Sequence, residues 1–171
     1  MVKRGRRSGY SLVEVMMVVA ILGIISSVGA GILLQANRYF IFTKTRGDLQ
    51  REARAAMYVV TRELRQAQSN SIVIDRLANN QPFFSRITFS KFGGSTVSFA
   101  QNGKQLLMMV GNCHTTSCGR PLADNLLYLA ITFPRSDDMT IVSVSMTLQQ
   151  NIYQSKTKAL HMTSEKVQVM N

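Results

Sequence analysis

The sequence predicts an α+β chain: one long N-terminal helix, its second half packed on an antiparallel β-sheet. Three observations predict it. An uncharged, largely apolar run extends from Val15 to Leu34. Behind it, apolar residues recur at steps of three and four as far as Ala67, with no proline in the whole stretch. Beyond Ser69-Asn70 the texture changes to short β-rich runs separated by turn residues, and helix first, hairpins after, is an α+β order.

The helix is read from Ser11 to about Ser69. Its first part is apolar all round, and a run of about 20 apolar residues is long enough to cross a bilayer. Lys3, Arg4, Arg6 and Arg7 crowd the residues before it. Such a cluster holds an N-terminus in the cytoplasm and sends the rest outward. Glu14 lies just inside the run, and the next charged residue is Arg38. A carboxylate deep in hydrocarbon costs roughly 2.5–3.5 kcal/mol and marks a site with a partner. Gly23, Gly29, Gly31 and Ser26-Ser27 interrupt the apolar section, as filler or as small residues that permit close helix contact.

The helix then turns amphipathic. Leu49, Ala53, Ala56, Met57, Val60, Leu64 and Ala67 form one stripe that should face a core. The opposite face carries Arg51, Arg54, Arg62 and Arg65, with Asp48, Glu52 and Glu63 expected to make weak surface pairs. The chain therefore divides into residues 1–9 ahead of the helix, 10–34 as the membrane-crossing part, 35–69 as the amphipathic part and 70–171 as a β-rich head.

Within the head, Ser71 to Ile74 reads as a short strand and Asn79-Asn80-Gln81-Pro82 as a loop. Arg86 to Phe92 alternates in strand fashion and ends at Gly93-Gly94. Thr96 to Ala100 and Gln105 to Val110 flank Asn102-Gly103, a strong hairpin signal. The cysteine loop and Pro121 follow. Asn125 to Phe133 and Met139 to Leu148 read as strands joined by Pro134-Arg135-Ser136-Asp137-Asp138. Ala159 to Met170 is a last extended segment.

At 171 residues the chain suits one domain plus a membrane helix. The formal charge is +11; the first nine residues hold four cations and no acid, so +7 remains from Tyr10 onward. A basic chain invites a nucleic-acid reading. Its cations are scattered, however, with one concentration between Arg38 and Arg65, where anionic lipid or neighbouring subunits fit better. Cys113 and Cys118 flank His114-Thr115-Thr116-Ser117. Outside the cytoplasm a disulfide closing this loop is expected; free thiols or a metal are the alternatives. The metal reading is short of ligands, since structural zinc takes four and only His161 could join Cys113, His114 and Cys118. Neither cofactor nor metal is expected. No catalytic constellation is evident: both histidines lie far from any matching acid or nucleophile motif, and no phosphate loop of recognised spacing occurs.

Gly9-Tyr10-Ser11-Leu12-Val13-Glu14, between the basic cluster and the apolar run, resembles the processing site of type IV prepilins and pseudopilins. The family pattern is a basic leader, Gly, an aromatic (usually Phe), Ser or Thr, Leu, any residue, Glu, then an apolar helix; Tyr10 replaces the commoner Phe. The resemblance implies that a membrane-embedded prepilin peptidase cuts between Gly9 and Tyr10 and methylates the Tyr10 amine. It also implies that Glu14 pairs with the cationic N-terminus of a neighbouring subunit, which fits the mutual attraction of an acid and an amine in low dielectric. A helix on the order of 85 Å long suits a filament that packs subunits through such helices. The element order is similar to the pilin-like fold. Thr61 to Ala67, Leu122 to Leu129, Ile141 to Leu148 and the tail Lys156 to Asn171 look like the J-type minor pseudopilins of type II secretion and related minor type IV pilins. Those proteins tend to end in Arg-Asn, whereas this chain ends Met170-Asn171.

Three other readings of the N-terminus stay open. Val28-Gly29-Ala30 could end a secretory signal, Arg6-Arg7 could belong to a twin-arginine signal, and the run could be a plain anchor. The resemblance implies a minor pilin or pseudopilin that helps initiate or cap a type IV-like filament, in the inner membrane with its N-terminus cytoplasmic and its head periplasmic. Its partners would be other minor and major subunits, the peptidase, an inner-membrane assembly platform and lipid. The alternative is a surface minor pilin whose head binds DNA or another surface ligand.

Overall fold

The computed structural model describes residues 9–111, 113, 118–152 and 157–169. The leader cations, His114 and its loop, Lys156 and the terminal Met170-Asn171 lie outside these. The chain divides into two compact units at the Ile41–Phe42 link.

Helix α1 runs unbroken over Leu12–Leu64. In the first unit its residues are exposed as far as Phe40, Gly29 alone being half-buried. Gly23, Gly29 and Gly31 do not break it, and the Ser27 hydroxyl donates to the Ile24 carbonyl at 2.8 Å, satisfying its polarity within the helix. In the second unit the expected stripe is the buried one: Leu49, Ala53, Ala56, Met57, Val60 and Leu64 are each at most 1% exposed.

The helix stops at Leu64, short of the expected Ser69. Gln66 N–H donates to the Glu63 carbonyl and Ala67 N–H to Leu64, at 3.1 and 3.0 Å, tightening the last turn. The chain then takes strand partners instead of helical ones. Ala67 bridges Lys91, Gln68 N–H donates to the Ser90 carbonyl, and Phe92 N–H donates to that of Gln66. Ala67 is still fully buried, so the last member of the stripe reaches the core from outside the helix.

The expected single sheet is two. β1 (Val73–Asp75), β2 (Arg86–Ser90), β3 (Thr96–Asn102), β4 (Gln105–Val110) and β5 (Arg120–Ala123) form an antiparallel five-stranded meander. β6 (Leu126–Thr132), β7 (Ile141–Ile152) and β8 (Thr157–Gln168) form a second, three-stranded one. Glu52 on α1 accounts for the break between β5 and β6. Its Oε1 accepts the N–H groups of Asp124 and Asn125 at 2.5 and 3.2 Å, and its Oε2 accepts the Asn125 amide at 2.9 Å. The Asn125 carbonyl takes Gln149 N–H. With the linker's backbone groups used this way, β6 leaves the first sheet and joins β7. Gln101 ties the sheets together, donating to the Leu127 carbonyl and accepting Leu129 N–H.

β5 contains Pro121, a residue the sequence assigns to no strand. Pro121 pairs with Leu107 at the sheet's edge, where an absent N–H deprives no further strand. The β3–β4 hairpin forms as expected, but Asn102 is itself paired, with Gln105, so the turn residues are Gly103 and Lys104. β7 and β8 are 12 residues each and pair along their full length. β7 alternates cleanly, with Val142, Val144, Met146 and Leu148 buried, the pattern of a sheet with one face on the core.

Two of the expected weak surface pairs are something else. Glu52 holds the β5–β6 linker. Glu63 is only 4% exposed; it is ion-paired to Lys91 beyond β2 and accepts two hydrogen bonds from Arg62, at 2.8 and 3.1 Å. Burial by itself pushes the Glu63 pKa up, but the hydrogen bonds and charges of Lys91 and Arg62 outweigh it and hold the carboxyl below its ordinary value.

Candidate processing and assembly site

Gly9, Tyr10 and Ser11 precede α1 in non-helical backbone, and all three are exposed, Tyr10 at 83%. The Ser11 carbonyl accepts the N–H groups of Glu14 and Val15 at 3.0 and 3.2 Å, so the helix opens at Ser11. The Gly9–Tyr10 bond therefore lies outside the helical ladder. A Cβ built on Gly9 would meet nothing within 4 Å. Nothing in the described residues therefore requires glycine at this position.

Glu14 falls in the first turn of α1, where the free N–H groups of the helix favour a carboxylate by about 0.3–1 kcal/mol. It is exposed and, among the described residues, has no ion-pair partner. The helix behind it is long and apolar enough to cross a membrane, and none of that stretch is buried in the chain. Leu12, Met16, Val19 and Ile24 are each 63–75% exposed. Surface of this extent and polarity is driven out of water into lipid or against neighbouring helices.

Cys113 and Cys118 are joined by a disulfide with their Cα atoms 5.9 Å apart. His161 sits in β8, pairing with Leu148. Among the described residues no three His, Cys, Asp or Glu side chains gather as a metal site would require.

One feature of the second unit was only half legible. Arg54, Tyr58, Arg62 and Arg65 on α1 face Thr163 and Glu165 on β8 across a groove of about 660 Å³. The arginines read as a polar helix face; that β8 supplies the opposite wall depends on the order of the second sheet, which puts β8 at its edge.

Residues 4–30 match the family model of the prokaryotic N-terminal methylation motif. No curated protein and no solved structure matches the chain. The matched span contains Gly9 to Glu14 and most of the exposed apolar helix. The long helix, packed through its second half on antiparallel sheets, continues the motif in a pilin-like arrangement. Residues 4–30 thus carry the N-terminal methylation motif that indicates a type IV prepilin-like protein, and the helix and sheets behind them have a pilin-like arrangement.

Proposed function

We propose that the chain is a minor pilin or pseudopilin, made as a single-pass membrane precursor and assembled at the start or tip of a type IV-like filament. The observation that carries the reading is the motif over residues 4–30 at the head of an exposed apolar helix. A prepilin peptidase cuts between Gly9 and Tyr10 on the cytoplasmic side and methylates the new amine. The apolar part of α1 then holds the subunit in the inner membrane with its head in the periplasm. On assembly, Glu14 accepts the amine of a neighbouring subunit, and the two charges leave lipid as a pair, each relieving the other's desolvation. An oxidising periplasm is where a disulfide such as Cys113–Cys118 persists. The minor role rests on the segments that resemble J-type pseudopilins.

The intact mass of the protein from its native membrane tests this. The expected species begins at Tyr10 and is one methyl group heavier than the bare chain. A species that keeps residues 1–9 would reduce the protein to an anchored domain, and one that begins after Ala30 would make it a secreted protein.

A further inference from the structure

The groove between α1 and β8 is an arginine-walled slot whose charge the unit does not balance. Most carboxylates of the second unit are engaged internally: Glu52 by the β5–β6 linker, Glu63 by Lys91 and Arg62, Asp75 by Arg86, Asp137 by Arg135 and Asp138 by Thr140. Arg54 and Arg65 have no partner among the described residues, and both are exposed. Arg62 lies between them, half exposed despite its bond to Glu63. Tyr58 stands in the middle of this wall at 66% exposure, and Met57 contributes a buried apolar floor. Steps of three and four place Arg54, Tyr58, Arg62 and Arg65 along one face of the helix.

We propose that this groove docks an acidic segment of a different pilin-like subunit; naming the occupant a filament neighbour rests on the proposed function. Guanidinium groups form bidentate bonds with carboxylates, and Tyr58 supplies an aromatic anchor of the kind that dominates interface energetics. A second copy of this chain is a poor occupant, because each copy carries +7 from Tyr10 onward and the like charges repel. Nucleic acid fits less well, because the floor at Met57 is apolar and offers nothing to a phosphate backbone. A polypeptide that alternates carboxylates with apolar side chains meets both surfaces.

The test is photocrosslinking of the full chain in its native membrane, with p-benzoylphenylalanine replacing Tyr58 and, in a second chain, Gln66 at the groove's other end. The expected result is an adduct with one polypeptide of net negative charge that carries its own N-terminal methylation motif. Its yield should fall at least tenfold in the double variant Arg54→Glu, Arg65→Glu, and hold in Lys158→Glu, Lys166→Glu on β8. An adduct with a second copy, with nucleic acid or with lipid would overturn the proposal, as would no adduct at either position or a yield indifferent to the arginine reversal. Mass measurement of the uncrosslinked chain in the same membranes separates the two readings. A retained leader with the acidic adduct present removes the filament and keeps the groove; a trimmed chain with no adduct does the reverse.

Discussion

Two carboxylates of α1 sit in opposite surroundings. Glu63 has cations supplied by its own chain and so acts as a structural tie between the helix and the end of β2. Replacing it with Gln leaves Lys91, a largely buried cation, without its counter-charge, and should destabilise the fold by about 2–4 kcal/mol at neutral pH. The sign with pH follows from the lowered pKa. The stabilisation is complete above the ordinary glutamate value of about 4.3 and fades as pH falls through the lower folded value. Thermal unfolding of the full chain in detergent should therefore show a wide gap between parent and Glu63→Gln at pH 7 that narrows towards pH 3; a gap independent of pH would contradict the ion pair. Glu14 has no such partner among the described residues. Glu14→Ala should insert normally and fail to enter filaments, measured as membrane-retained protein against sheared filament protein, and normal incorporation would remove the proposed pairing. Gly9→Ala should leave the fold unaltered, since its Cβ meets nothing, yet abolish trimming.

Among the elements, the β3–β4 hairpin and the cysteine loop each depend on a local constraint. Gly103 holds φ at +57° with open space around it, so a substitution there is opposed by backbone strain alone. Gly103→Val should lose about 1–2 kcal/mol, the left-handed penalty for a side chain, with no change in the core. The Cys113–Cys118 bond closes a loop with a separation of five residues. Short loops gain least from closure, and chain entropy assigns this one about 2 kcal/mol. Reduction with dithiothreitol should lower the melting temperature by a few degrees without unfolding the sheets. A collapse of the whole head would mean that the loop is part of its core.

Across the whole molecule, the division at Ile41–Phe42 separates an exposed apolar helix from a packed core. Every buried hydrophobic residue, from Leu49 to Val169, belongs to the second unit. The described residues of the first contribute none of this core and expose an apolar helix. A chain that starts at Phe42 should therefore be soluble without detergent and melt within a few degrees of the full chain. A large loss of stability on removing residues 1–41 would mean that the apolar half of α1 supports the head. This separation is also what a subunit needs if it is to move from lipid into a filament without refolding its outer part.

The sequence by itself determined the elements whose signals are local. The processing motif is contiguous, and the apolar run needs only counting. The stripe Leu49 to Leu64 follows from the period of a helix, and Asn102-Gly103 announced a turn one residue from where it lies. The tertiary structure decided what depends on residues distant along the chain. α1 ends at Leu64 because Ala67 and Gln68 find backbone partners at Lys91 and Ser90. The strands divide into two sheets because Glu52 occupies the Asp124-Asn125 linker. Glu63 is a buried tie and not a surface charge because Lys91 comes back to it, and three arginines become one wall of a groove because β8 closes the other. Periodicity reports which face of an element is apolar; it cannot report which distant group will satisfy a polar atom on that face.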